Sequence, residues 1–250
     1  MASIPSLALI SLLALAGATQ MAKASDTAVT TAMLQQAALA VDTVTRETGF
    51  VHRLFKPEKP SGRTIIMLHG SGGDETTLAS LAASIAPDAT LIGIRGRIVQ
   101  DGVKRWYKRI TATEFDQQDV RAEADAFVEF LNGIATEQGI DLASATFLGY
   151  SNGANLIAAL TQLHPGLVRK AVLLRPMPVL SDMDKVDLSQ TKFLTIAGEN
   201  DKLYFEYAPK LAERLRNCGA NVDARVIHSD HGIGDEDIRI AAEWLGSPEK

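Results

Sequence analysis

The chain has 250 residues, 46% hydrophobic and 22% charged, with 25 Lys+Arg against 30 Asp+Glu. That apolar content excludes a disordered chain, and a formal net charge of −5 argues against a nucleic-acid partner, which needs a basic field. The lone cysteine, Cys218, excludes an intrachain disulfide, so the fold must be held by packing.

Leu7 to Gly17 (LALISLLALAG) is apolar but too short to span a bilayer, which takes about 20 residues. Ala22-Lys23-Ala24 follows as an A-x-A pattern, then polar Ser25 and Asp26. Residues 1–24 read as a secretory signal peptide, with a buried N-terminal helix as the other reading. The expected location is therefore the periplasm or the medium, with no stable membrane anchor. Residues 25–48 form a polar, Ala-rich lead-in, and 49–250 a single domain.

Phe50 to Phe55 alternates apolar and polar residues like a half-exposed edge strand. Thr64 to Leu68, Thr90 to Ile94, Thr146 to Leu148, Ala171 to Leu174 and Phe193 to Ala197 are short apolar runs that suit strands covered on both faces. Val222 to Ile227 is a further strand-like stretch. Helical patterns lie between them at Asp74 to Ala86, Phe115 to Ala135, Asn152 to Leu163, Tyr204 to Asn217 and Asp235 to Leu245. In the second, Val120, Ala124, Phe127, Val128 and Leu131 mark the inner face, and Glu123, Asp125 and Glu129 the outer one. Strand–helix alternation of this kind predicts an α/β fold with a mostly parallel central sheet flanked by helices on both faces.

Ligands of such sheets collect beyond the carboxyl ends of the strands, where the chemistry-bearing residues of this chain lie. Gly149-Tyr150-Ser151-Asn152-Gly153 is a G-x-S-x-G between a strand and an apolar helix. The turn is so tight that the positions two before and two after the serine have no room for a side chain, and it lifts the hydroxyl above the sheet. A serine needs a base, and in such turns the acid and then the histidine follow in the chain. Asp201, after Phe193 to Ala197, is the candidate acid, preferred over its loop neighbour Glu199. His231, in the loop after Val222 to Ile227, is the candidate base. His228 still falls within the strand alternation and reads as a structural or rim residue. The His228/His231 pair has no third ligand at a metal-binding spacing, so neither a metal nor a cofactor is expected.

His69-Gly70-Ser71-Gly72-Gly73 follows the strand at Thr64 to Leu68. Its glycines let a backbone N–H approach a substrate, so the N–H groups of Ser71 and Asn152 are the candidate oxyanion donors. The loop lacks the G-K-[ST] ending of a phosphate cradle. Arg95 to Arg109 reads as a long loop whose Trp106 and Tyr107 either wall a substrate pocket or cap the core; Met177 is a further candidate for the pocket.

Together LHGSGGDE, GIRGRIVQDGVKRWYKR, EFDQQDV, GYSNGAN, LRPMPV, GENDKLY and DHGIGDEDIRIAAEWL resemble the phospholipase/carboxylesterase branch of the α/β hydrolases, from about Val51 to Leu245. That branch includes relatives of dienelactone hydrolase, whose elbow carries a cysteine where this chain has Ser151. The resemblance implies an α/β-hydrolase fold, with Ser151 as nucleophile, Asp201 as acid, His231 as base, and Ser71 with Asn152 as oxyanion donors. It implies a small-molecule ester as substrate, and hydrolysis of short-to-medium acyl esters through an acyl-enzyme. A thioester or a lysophospholipid would use the same groups, and a non-catalytic binding protein could share the scaffold. If the leader is removed as read, the exported protein begins at Ser25; intact-mass measurement should find that residue first, and a retained Met1 in exported material would refute the cleavage.

Overall fold

The computed structural model describes residues 44–182 and 186–246. The leader, its cleavage site and most of the polar lead-in lie outside the described residues. Seven strands form one sheet in the order β10-β9-β8-β7-β3-β4-β2: β2 is Val51–Phe55, β3 Thr64–Leu68, β4 Thr90–Arg95, β7 Thr146–Tyr150, β8 Lys170–Leu174, β9 Lys192–Gly198 and β10 Asn221–Ile227. All neighbours are parallel except β2, which runs antiparallel to β4 at the edge. The helices are α1 (Ala79–Ile85), α2 (Gln117–Gln138), α3 (Asn152–Leu163), α4 (Tyr207–Asn217) and α5 (Asp235–Gly246).

Parallel strands cannot return without a crossover, so each helix is laid back across the sheet. The alternation of side chains then divides the core in two. Ile66, Leu68, Phe147, Ala171, Leu173 and Phe193 pack under α2, α3 and α4. Ile65, Met67, Leu148, Val172, Leu174 and Leu194 face the other way, toward α1 and α5. That is why the inner strands read as unbroken apolar runs. The outermost strand, β10, is largely exposed and carries the Asp223–Arg225 ion pair, charge that discourages edge-to-edge pairing.

Helices α1 and α4 start three or more residues later than the sequence pattern suggests, each because a carboxylate captures the backbone first. Asp74 accepts the Thr76 N–H at 2.9 Å and the Thr76 hydroxyl at 2.7 Å, holding a turn before α1 and lowering its own pKa. Asp201 takes the Tyr204 N–H at 3.1 Å, delaying α4 to Tyr207.

The stretch read as a long loop from Arg95 contains a hairpin. β5 (Ile98–Gln100) and β6 (Val103–Arg105) are joined by Asp101 and Gly102, both at positive φ (53° and 75°). Such a pair is the preferred two-residue hairpin connection. β1 (Val44–Arg46), inside the expected lead-in, pairs with β5 to complete a second, three-stranded sheet.

Ion pairs fasten that small sheet to α2. Arg46 and Arg97 each reach Glu123 at 2.8 Å, and Arg46 also meets Asp119. Glu123, assigned to the outer face from periodicity, is therefore buried, whereas Asp125 and Glu129 are exposed. Removing one partner of a buried pair strands the other charges. Glu123→Gln should lower stability by about 2 kcal/mol in urea unfolding; a change within about 0.5 kcal/mol, as at an ordinary surface position, would contradict this account.

Candidate active site

The turn between β7 and α3 is held by contacts that exclude side chains. A Cβ on Gly149 would lie 2.6 Å from the backbone of Ala154, and one on Gly153 would lie 2.2 Å from the Leu68 carbonyl oxygen. Between them Ser151 adopts φ 48°, ψ −114°, a strained conformation for a non-glycine residue. The strain is held by the Ser151 N–H bonding to the Leu174 carbonyl at 2.8 Å and by Asn155 N–H bonding to the Ser151 carbonyl at 3.0 Å.

The Ser151 hydroxyl lies 2.9 Å from Nε2 of His231, and Nδ1 of that ring lies 2.5 Å from Oδ2 of Asp201. Asp201 is buried, while the imidazole remains about one-third exposed, open to the cleft. The other oxygen of Asp201 accepts the Tyr204 N–H, so the carboxylate is fixed from both sides. The His231 ring sits between Tyr150 and Tyr204, with centroids 5.5 and 5.0 Å away, and the Tyr150 hydroxyl donates to the His231 carbonyl at 3.0 Å.

The loop carrying His231 is further held by Arg175, at the end of β8. Its fully buried guanidinium donates to the carbonyls of Asp230 (3.1 Å) and Gly232 (2.5 Å), to the Ser229 hydroxyl (3.0 Å), and to both carboxylate oxygens of Asp237 (2.7 and 3.0 Å). The rival histidine is placed elsewhere: His228 is 82% exposed and pairs with Glu199. The two acids weighed in one loop thus go to two different histidines.

Ser71, Ser151 and Asn152 line one cleft, together with Phe115, Met177 and Tyr204. Met177 lines it, its N–H donated to Asn155 at 2.7 Å. Trp106 and Tyr107 do not. Both are fully buried and neither lines the cleft, so of the two readings of this pair the burial agrees with a cap on the core and not with a pocket wall. They tie the oxyanion-loop candidates together from behind. The Trp106 backbone N–H donates to the Asn152 side chain at 2.9 Å, its indole N–H to the His69 carbonyl at 2.8 Å, and the Tyr107 hydroxyl to the Asn152 carbonyl at 3.4 Å. Burial raises the Tyr107 pKa, which keeps the phenol neutral.

Arg105, Phe115, Tyr204 and Arg175 escaped the sequence reading. Arg105 ends the Asp-Gly hairpin, and recognising that dipeptide would have put it on a strand end. A hollow of about 360 Å³ between β10 and α5 contains none of these groups. Size is a poorer guide here than the meeting of hydroxyl, imidazole and carboxylate.

The architecture and this cleft define an α/β hydrolase. No protein-family model matches the chain. It is 30% identical over 185 residues to a Bacillus subtilis (strain 168) protein named "Putative hydrolase MhqD", covering 74% of this chain and 92% of that one. A carboxylesterase from Mesorhizobium loti is 49% identical with a TM-score of 0.78, over 82% of this chain and 99% of that one. A Bacillus cereus carboxylesterase is 29% identical with a TM-score of 0.75, over 79% and 94%. The chain belongs to the phospholipase/carboxylesterase family of α/β hydrolases, and it is an ester hydrolase.

His69, under the glycine loop, is buried with its tautomer fixed. Its Nε2 accepts the Gly96 N–H at 3.0 Å, and Nδ1 lies 2.6 Å from the Gly70 carbonyl, to which it donates. Burial lowers its pKa from 6.5 to about 4, since a second ring proton would point at an N–H. Between those values the unfolded chain binds a proton that the folded chain refuses, so stability rises with pH there and is fully present above 6.5. Acidification across the window should cost about 3 kcal/mol from this group. Urea unfolding from pH 4.5 to 7 should show this dependence weakened in His69→Asn; an unchanged slope would remove His69 as its source.

Proposed function

We propose that the protein is a serine carboxylesterase that cleaves short-to-medium acyl esters through an acyl-enzyme. The observation that carries this reading is the unbroken hydrogen-bonded line from the Ser151 hydroxyl through His231 to Asp201. His231 takes the proton as Ser151 attacks the ester carbonyl. Asp201 holds the tautomer that leaves Nε2 free to accept, and stabilises the imidazolium without taking its proton. The backbone N–H groups of Ser71 and Asn152 receive the developing oxyanion, each worth about 2.7–4 kcal/mol in the transition state. The Asn152 side chain is already engaged by Trp106, which leaves its backbone N–H for this task. His231 then gives its proton to the departing alcohol, and a water activated by the same ring hydrolyses the acyl-serine. The cleft is shallow, with about 30 Å³ of free space, which favours a short acyl group over a long lipid chain. The leader read from the sequence supports a reaction outside the cytoplasm.

Ser151→Ala should fold normally and lose about 10⁴-fold or more of 4-nitrophenyl ester turnover, together with fluorophosphonate labelling. His231→Ala should be comparably inactive and His228→Ala close to the parent. Equal activity in Ser151→Ala, or the reverse ranking of the histidines, would end the proposal. A thioester panel run beside the esters identifies the acyl bond preferred.

A further inference from the structure

A buried arginine normally meets a carboxylate, because removing a guanidinium from water without one costs several kcal/mol. This chain follows that rule around its core: Arg97 has Glu123, Arg175 has Asp237, and even the strand residue Arg95 faces Glu47 and Glu75. Arg105 departs from it. Only 6% of the residue is exposed, and among the described residues it forms no ion pair. Its Nη1 donates to the Ser71 hydroxyl at 2.9 Å, and its buried Nε–H has no partner.

The surroundings make the absence of a partner more pronounced. Arg105, Arg109 and Arg175 all line the cleft around Ser151, and no Asp or Glu does. Arg175 is neutralised by Asp237, which leaves Arg105 and Arg109 to set the local field in a protein whose net charge is −5. Burial, and then the neighbouring Arg109, depress the Arg105 pKa, and the charge of Asp101, which forms no ion pair with it, offsets this only in part. The supporting neighbour is also placed for function: Ser71 offers its hydroxyl to Arg105 and its backbone N–H to the oxyanion in the reaction proposed above.

We infer that Arg105 is a specificity residue that receives a carboxylate on the substrate, so that the preferred esters are half-esters of short dicarboxylic acids. A guanidinium with one N–H committed to Ser71 and another unpaired has donors to spare for a carboxylate, and Arg109 adds a second positive charge to the same cleft. Hydrolysis then converts the half-ester and water into the dicarboxylate, the alcohol and a proton. The small free space of the cleft favours a short spacer between ester carbonyl and carboxylate.

The inference rests on Ser151 acting as the nucleophile, and the test separates the two. Turnover of 4-nitrophenyl hydrogen glutarate is compared with that of its neutral methyl ester, which has the same spacer. The parent protein should favour the charged ester by about tenfold or more in kcat/KM, the worth of a hydrogen-bonded charge. Arg105→Met should bring the charged-to-neutral ratio to about one, and Arg105→Lys should restore part of it; the ratio is the readout because Ser71 also loses a bond. A parent ratio of one or below, or a ratio unmoved in Arg105→Met, overturns the inference while leaving the esterase reading intact. Binding of glutarate monomethyl ester to Ser151→Ala reads the anion site without catalysis. It should be salt-sensitive and lost with Arg105→Met; no binding, or displacement by inorganic phosphate as readily as by glutarate, would overturn the carboxylate assignment whatever the fate of the nucleophile.

Discussion

The placement of His231 depends on one buried guanidinium. Arg175 stands at positive φ (53°) where the chain leaves β8, and its side chain crosses under the loop that follows β10. There it binds the residues on both sides of His231 and closes on Asp237 in the first turn of α5. A backbone in that region costs on the order of 1–3 kcal/mol, and a buried charge costs more unless it is fully bonded. Both costs are met because the three guanidinium nitrogens all donate, to five different groups in total. The imidazole is exposed enough to meet a substrate and yet sits on a loop with no slack. That combination lets a mobile class of structure carry a group that must be correctly placed to a fraction of an ångström.

The same economy holds on the other side of the cleft. The glycine loop after β3 and the start of α3 come from separate parts of the chain, and nothing in either segment alone aligns their N–H groups. Trp106 aligns them by spanning both, with its indole on the His69 carbonyl and its backbone on Asn152. The ring lies tilted against His69 with centroids 5.1 Å apart and edge-on to Phe127 of α2. The acid-sensitive imidazole is thus part of the floor on which the Ser71 loop rests. Stability and site geometry are coupled at that point by packing rather than by any shared catalytic group.

What the sequence disclosed, and what it hid, follows from the range of the forces involved. The elbow at Ser151 was legible because its requirement is local: two positions without side chains, a strand before and a helix after. The order of strands and helices was legible because the inner strands are apolar on both faces. Asp201 and His231 could be placed from chain order and from their positions at strand ends. Glu123 was misread because periodicity equates charge with solvent, and its arginine partners arrive from β1 and from the segment ahead of β5. Trp106 and Tyr107 were ambiguous for the same reason. An aromatic pair beside a site can face inward or outward, and only the packing of Phe50, Phe115 and Phe127 around them decides. The start of α1 was missed because the Asp74 side chain competes for backbone N–H groups that a helical pattern assumes to be free.

Arginine shows most clearly how burial and function diverge in this chain. Arg46, Arg97 and Arg175 hold elements together, and each is saturated by carboxylates from the elements it joins. Arg105 is more deeply placed than Arg97, yet the cleft around it offers a hydroxyl, aromatic rings and another arginine rather than a carboxylate. A group bonded for stability gains nothing from leaving an N–H unpaired in a dry site, since that donor retains its full desolvation cost. An incomplete shell around a cation beside Ser151 is a cost borne in the free protein that a complementary anion removes on binding. Differential stabilisation of that kind lets a small cleft discriminate between substrates that differ in charge more sharply than between those that differ by a methylene.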